Sequence, residues 1–173
     1  VHLPKAAADT DLPRFTREAW FTGLARGNCF VTNGPLLRVR ANGKASGEVI
    51  ELSSSAPQSI ELSIQLTSND PVTAVEVISN GEVLTTIPCN DQIDQQLSAD
   101  ITLDQPGWFL VRAVTNITHT FRFASTAPWY VESAQEKHHV SRRSAQFFLD
   151  WVNERIERID ASVTNNDQRQ AVQ

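Results

Sequence analysis

Residues 58 to 66 constrain the fold more than any other stretch. Ile60, Leu62, Ile64 and Leu66 alternate with Ser59, Glu61, Ser63 and Gln65. A period of two puts the four apolar side chains on one face of an extended strand and the polar ones on the other. A chain with such a strand must supply a second apolar layer to cover the first. The same period recurs elsewhere. Leu37, Val39 and Ala41 alternate with Leu36, Arg38 and Arg40, and Leu97, Ala99, Ile101 and Leu103 follow the same rule. Thr73 to Ile78 and Glu82 to Ile87 flank Asn80-Gly81, which predicts a hairpin closed by a type I′ turn. Asn42-Gly43 carries the same signal and predicts Glu48 to Leu52 as a return strand. Ser53 to Pro57, Ser68-Asn69-Asp70-Pro71 and Asp104-Gln105-Pro106-Gly107 read as turns, and Pro88 to Gln96 as a polar loop. Trp108 to Val114, Thr120 to Ala124 and Trp129 to Val131 are β-prone. Eight to ten strands at short spacing predict a sandwich rather than a parallel α/β sheet.

Two helices bracket this region. Thr16 is an N-cap candidate, with Phe15 and Trp20 placed for a hydrophobic staple and Gly27 placed for a left-handed C-cap. Ala19, Trp20 and Leu24 form the stripe expected to be buried. Thr32-Asn33-Gly34-Pro35 is a turn by its chemistry. Near the end, Ser141 is a second N-cap candidate. Ala145, Phe148, Trp151, Val152, Arg155, Ile156 and Ile159 share one stripe at helical spacing. Glu154 and Arg158 form an i,i+4 pair. The residues after Ile159 are polar, and the tail to Gln173 is expected to fray.

Composition narrows the function. The 173 residues suit one domain and carry a net charge of −5, which argues against a non-specific nucleic-acid surface or a polybasic membrane patch. No apolar run approaches the roughly 20 residues of a membrane helix. The opening Val1-His2-Leu3-Pro4-Lys5-Ala6 lacks the apolar core of a signal peptide, and the chain contains no Met. The expectation is a piece cut from a longer protein. Cys29 and Cys89 are too few and too far apart for a metal knuckle. Two buried free thiols are favoured over one disulfide, and the sequence leaves the pairing open.

Catalytic signatures are missing. His2, His119, His138 and His139 show no HxH, HExxH or HxxxH spacing, so no zinc signature is present. His2 near Asp9 and Asp11 reads as a solvated tail ahead of any metal loop. There is no nucleophile elbow, phosphate loop or dinucleotide fingerprint, and Cys29 reads as a structural thiol. Trp108, Phe109, Phe121, Phe123, Trp129 and Tyr130 cluster late in the chain. Core packing is the stronger reading of these aromatics. The sharper one is a stacking platform, in which Arg112, Trp108, Trp129 and Tyr130 contact a carbohydrate or an anionic ligand. Arg38, Arg40 and Arg112 could serve an anion, against the blander role of blunting strand edges.

Several passages, in order, resemble one family. Ala19 to Leu37 (AWFTGLARGNCFVTNGPLL), Val75 to Val83 (VEVISNGEV), Gly107 to Ala113 (GWFLVRA), Thr126 to Val131 (TAPWYV) and Ser144 to Trp151 (SAQFFLDW) are similar to segments of CehA/McbA-like proteins. These are metal-dependent hydrolases related to the polymerase-and-histidinol-phosphatase (PHP) superfamily. The matching motifs are spread over about nine-tenths of the chain, and the TNGP passage is the most specific of them. In that family the TNGP passage follows the catalytic domain and leads into a C-terminal β domain.

The resemblance implies that the metal-ligating residues precede this chain. It carries over no catalytic, cofactor-binding or metal-binding residue. The divalent metal would sit in a catalytic domain absent here. The parent would be a phosphoesterase-like hydrolase, with its compartment, export included, left open.

The expected fold is mainly β. It is an antiparallel immunoglobulin-like β-sandwich with a short N-terminal helix and a long amphipathic C-terminal helix. Residues 1–35 would be the lead-in and last helix of the preceding domain, 36–132 the sandwich, 133–160 the closing helix and 161–173 the frayed tail. The expected function is a non-catalytic accessory domain with a structural, domain-packing or oligomerisation role. Its partners would be the preceding hydrolase domain and, as a further candidate, a second copy of the chain, with neither nucleic acid nor membrane. The alternative is a ligand- or carbohydrate-binding module.

Overall fold

The computed structural model describes residues 1, 16–52, 57–90, 92–133 and 141–162. The chain forms two compact units, Val1–His138 and His139–Gln173.

The first unit is a two-sheet β-sandwich preceded by a short helix, α1 (Arg17–Ala25). Its strands are β1 (Phe30–Thr32), β2 (Leu36–Ala41), β3 (Val49–Leu52), β4 (Gln58–Thr67), β5 (Val72–Ser79), β6 (Glu82–Pro88), β7 (Asp94–Leu103), β8 (Gly107–Thr115), β9 (Phe123–Thr126) and β10 (Trp129–Ser133). The smaller sheet has the order β2-β4-β7, antiparallel throughout. In the larger sheet β8 is central. It pairs with β5 on one side and with β9 and β10 on the other; β6 extends β5, β1 extends β9 and β3 extends β10. The one parallel pairing among the described residues is β3 with β10.

The core lies where the alternation predicts. Leu37, Ile60, Leu62, Ile64 and Leu66 from the smaller sheet are buried, as are Val75, Val77, Phe109, Val111 and Trp129 from the larger. Phe109 and Trp129 are cross-strand partners and stack with ring centroids 5.2 Å apart. At roughly 25 cal/mol per Å² of apolar area removed from water, this double layer is the main stabilising term.

Asn80-Gly81 makes the expected hairpin between β5 and β6, with Asn80 at φ 50° and Gly81 at φ 91°. Asn42-Gly43 does not lead into the return strand expected of it. The turn itself forms, with Asn42 at φ 48°, Gly43 at φ 76° and a single bridge from Ala41 to Lys44. The chain then crosses to the other sheet, where β3 runs parallel to β10 and buries Ile50 and Leu52. The crossing is fixed at Ser46 and Gly47. The Ser46 hydroxyl donates to the Gly27 and Cys29 carbonyls, and the Gly47 amide donates to the Pro128 carbonyl. The loop expected over Pro88 to Gln96 is also shorter than predicted, because β7 already starts at Asp94.

Thr16 caps α1 as expected, its Oγ1 accepting from the Ala19 amide at 3.1 Å. The helix ends in a Schellman motif. The Asn28 amide donates to Gly23 O, the Gly27 amide donates to Leu24 O, and Gly27 sits at φ 69°. The expected buried stripe is not realised. Gly23 is the buried residue, Ala19 and Trp20 are half-buried, and Leu24 and Phe21 are exposed. The reason is that α1 is held at its C-terminal end rather than along one side. Strand β1 follows directly and belongs to the larger sheet, so the sandwich begins ahead of residue 36.

Among the described residues of the second unit there is one helix, α2 (Arg142–Ser162). Ser141 caps it, its Oγ accepting from the Ser144 amide at 3.1 Å. The Glu154–Arg158 pair forms. Phe15, His2, Asp9, Asp11, His138 and His139, and the tail from residue 163, lie outside the described residues.

Candidate functional site

The two sheets have unlike outer faces. On β4, the centre of the smaller sheet, the outward residues Ser59, Glu61, Ser63, Gln65 and Thr67 are all polar and exposed. On β8, the centre of the larger sheet, the outward residues are Trp108, Leu110, Arg112 and Val114, and all four are half-buried. Register extends this apolar face sideways. Tyr130 pairs with Trp108, Ile78 with Leu110 and Val83, and Phe123 with Val114. Val31 and Ser125 continue the row of Arg112. Antiparallel partners share a face, so these side chains form one surface. A strand apolar on both sides has the pattern of one covered on both sides. Val31 is 60% exposed and Tyr130 49% exposed at the margin of this surface.

The four residues singled out for ligand contact are all on β8 and β10, but they have different environments. Trp129 is fully buried, stacked on Phe109, and its Nε1 donates to the Lys44 carbonyl at 3.3 Å. It faces the core, away from any outer surface. Trp108 is half-buried, and Tyr130 is the most exposed of the four. Arg112 makes an ion pair with Glu76, its Nη2 2.7 Å and its Nε 2.8 Å from the same carboxylate oxygen. That pair is a charged row across an otherwise apolar face. The three strand arginines do not converge, since Arg38 and Arg40 are on β2 of the smaller sheet and Arg112 is on the outer face of the larger one.

A groove of about 570 Å³ lies where α1 meets the sandwich, lined by Leu24, Arg26, Cys29, Glu48, Pro128 and Tyr130 among others. Its volume falls in the range of ligand sites, and Gly27, Gly47 and Ala127 also line it. No group of three or more His, Cys, Asp or Glu that could hold a metal occurs among the described residues. His119 is exposed in the turn between β8 and β9.

The TNGP passage forms a structural joint. The Asn33 side chain donates to Phe121 O at 2.9 Å and accepts from the Phe123 amide at 2.8 Å. Its own amide donates to Phe123 O. Thr32 Oγ1 accepts from the Gly34 amide and donates to Pro35 O, and Pro35 is fully buried. A Cβ on Gly34 would meet Arg122 side-chain carbons at 3.1 and 3.2 Å. The Arg122 guanidinium in turn pairs with Asp70 at 2.7 Å. Nothing local in the sequence points to these partners, because they lie 50 to 90 residues away from one another.

Both cysteines are unpaired and half-buried rather than fully buried. Burial pushes the Cys89 thiol above its ordinary range, partly opposed by a hydrogen bond with the backbone of Val75.

No protein-family model, no curated protein and no solved structure matches the chain.

Proposed function

We propose that this chain is a non-catalytic accessory β-sandwich domain of a PHP-type metal-dependent hydrolase, and that it acts by packing. The carrying observation is the apolar outer face of the larger sheet, centred on Trp108 and Leu110, set against the polar outer face of the smaller one. A contiguous apolar surface of this kind marks an interaction site. The preceding domain of the same protein would cover it, with Tyr130 and Val31 at the margin of the contact. The order of the family-like passages supports the same reading. The divalent metal and the hydrolytic residues would belong to that preceding domain, and this chain would hold it in place or shape the approach to its active site.

The test uses the protein extended upstream of Val1. Val31→Glu and Tyr130→Glu alter side chains that are 60% and 49% exposed in this chain. The combined variant should leave the thermal unfolding of residues 1–173 almost unchanged and lower that of the extended protein by several degrees. Equal shifts in both would contradict the docking role.

A second reading, a ligand- or carbohydrate-binding module, rests on Tyr130 at the lip of the groove beside α1. A glycan array tests it. Binding lost in Tyr130→Ala would favour this reading, and no bound glycan would set it aside.

A further inference from the structure

We propose that the open edge of β2 holds a phosphate group, free or carried on a small phosphomonoester. A pocket of about 420 Å³ lies there, lined by Arg38, Arg40, Gln65, Val39 and Asn28 among others. No Asp or Glu is among the described residues that line it. In a chain of net charge −5, two cations in a pocket without a carboxylate make a local positive field that favours an anion.

The register explains why these groups meet. Arg38 and Arg40 are exposed on β2 and point to the same outer face, with Cα atoms about 6–7 Å apart. Gln65 is the cross-strand partner of Arg38 and shares that face. The order of the smaller sheet leaves β2 as an edge strand. The Asn42 amide donates to Glu61 O. By antiparallel alternation the amides of Arg38 and Arg40 then face β4, and those of Val39 and Ala41 face the open edge. Lys44 O takes the Ala41 amide. The Val39 amide has no acceptor among the described residues.

The charges are also open. Arg112 and Arg122 are paired with Glu76 and Asp70. Arg38 makes no ion pair or hydrogen bond among the described residues, and Arg40 uses one donor on the Gly43 carbonyl at 3.3 Å. A guanidinium fork engages two oxygens side by side. A carboxylate therefore satisfies one fork, whereas a tetrahedral phosphate presents oxygens to both. The pocket is in the size range of small-ligand sites, which leaves room for an organic group beside the phosphate.

This site is on the smaller sheet and the docking face is on the larger, so the inference goes beyond the accessory reading and the two can fail separately. Calorimetric titration of the full chain at low ionic strength should show saturable binding of phenyl phosphate and inorganic phosphate. Acetate should bind roughly tenfold more weakly. Tighter binding of phenyl phosphate would mark the ester as the occupant, and equal binding would mark free phosphate. Arg38→Gln and Arg40→Gln should each weaken phosphate binding roughly tenfold. Arg40→Lys keeps the charge but loses the fork, and should weaken it too. Arg17→Gln removes the same charge from exposed α1 and should change binding less than about twofold. Thermal unfolding of these variants should match that of the unsubstituted chain, because the altered side chains are exposed. No saturable binding, acetate as tight as phosphate, or equal losses in Arg17→Gln and Arg38→Gln would each overturn the site.

Discussion

Gly47 and Gly27 meet backbone to backbone: a Cβ on Gly27 would lie 2.9 Å from Gly47 Cα, and one on Gly47 would lie 1.8 Å from the Arg26 carbonyl oxygen. This contact joins the end of α1 to the chain segment that crosses between the sheets. Gly47 at φ 86° and Gly27 at φ 69° are both in the left-handed region that glycine reaches without steric cost.

Gly47→Ala therefore has no local escape, because the clashing atom is backbone. Its cost should be about 3 kcal/mol or more, read from urea unfolding. Gly43→Ala is the control. Gly43 has φ 76° but nothing within 4 Å of the added carbon, so only the conformational penalty of about 1 kcal/mol applies. Equal losses would mean that the α1 joint is not tight.

Asn33→Ala removes two side-chain hydrogen bonds to the segment that enters β9. At about 0.5–1.5 kcal/mol for each bond, the expected loss is about 1–3 kcal/mol. The amide of Phe123 should also gain hydrogen exchange. An unchanged exchange rate would show that the TNGP turn is not held by this side chain.

Trp129→Ala and Tyr130→Ala separate core from surface at adjacent positions. Trp129 is fully buried, so its truncation should cost about 3–5 kcal/mol. Tyr130 is about half exposed, and its truncation should cost less than about 1 kcal/mol. Chemical denaturation of the two variants decides the assignment.

The Cys89 thiol gives a pH prediction. Its proton is held more tightly in the folded chain than in the unfolded one, because burial penalises the thiolate. The folded pKa is raised, so this contribution to stability is fully present below the ordinary thiol pKa. It is lost as pH rises from there through the folded pKa. Alkylation of Cys89, followed by peptide mapping, should be slow in the folded protein near neutral pH and speed up on unfolding. A rate unchanged by unfolding would contradict the burial.

The parts of the fold readable in the sequence are those fixed by short-range rules. The period of two in β2 and β4 placed their core residues, because a half-buried strand must alternate. The Asn80-Gly81 hairpin and the caps at Thr16 and Ser141 follow from local chemistry in the same way. Legibility ended where partners are distant. Asn42-Gly43 carries the same turn signal as Asn80-Gly81, but whether the chain pairs back or crosses over depends on Ser46 and Gly47 meeting Gly27 and Pro128. The site was readable to the same extent. The aromatic run of β8 and β10 was visible, but its division between Trp129 inside and Tyr130 outside needed the register of β10 against β8. The ion pair of Arg112 with Glu76 likewise needed the pairing of β8 with β5.

The accessory reading is tested most directly by assaying the purified 173-residue chain, supplied with Mn²⁺ or Zn²⁺, against phosphoester and carbamate substrates. The account predicts no turnover above the metal-only blank. Metal-dependent turnover that co-purifies with the chain would contradict it.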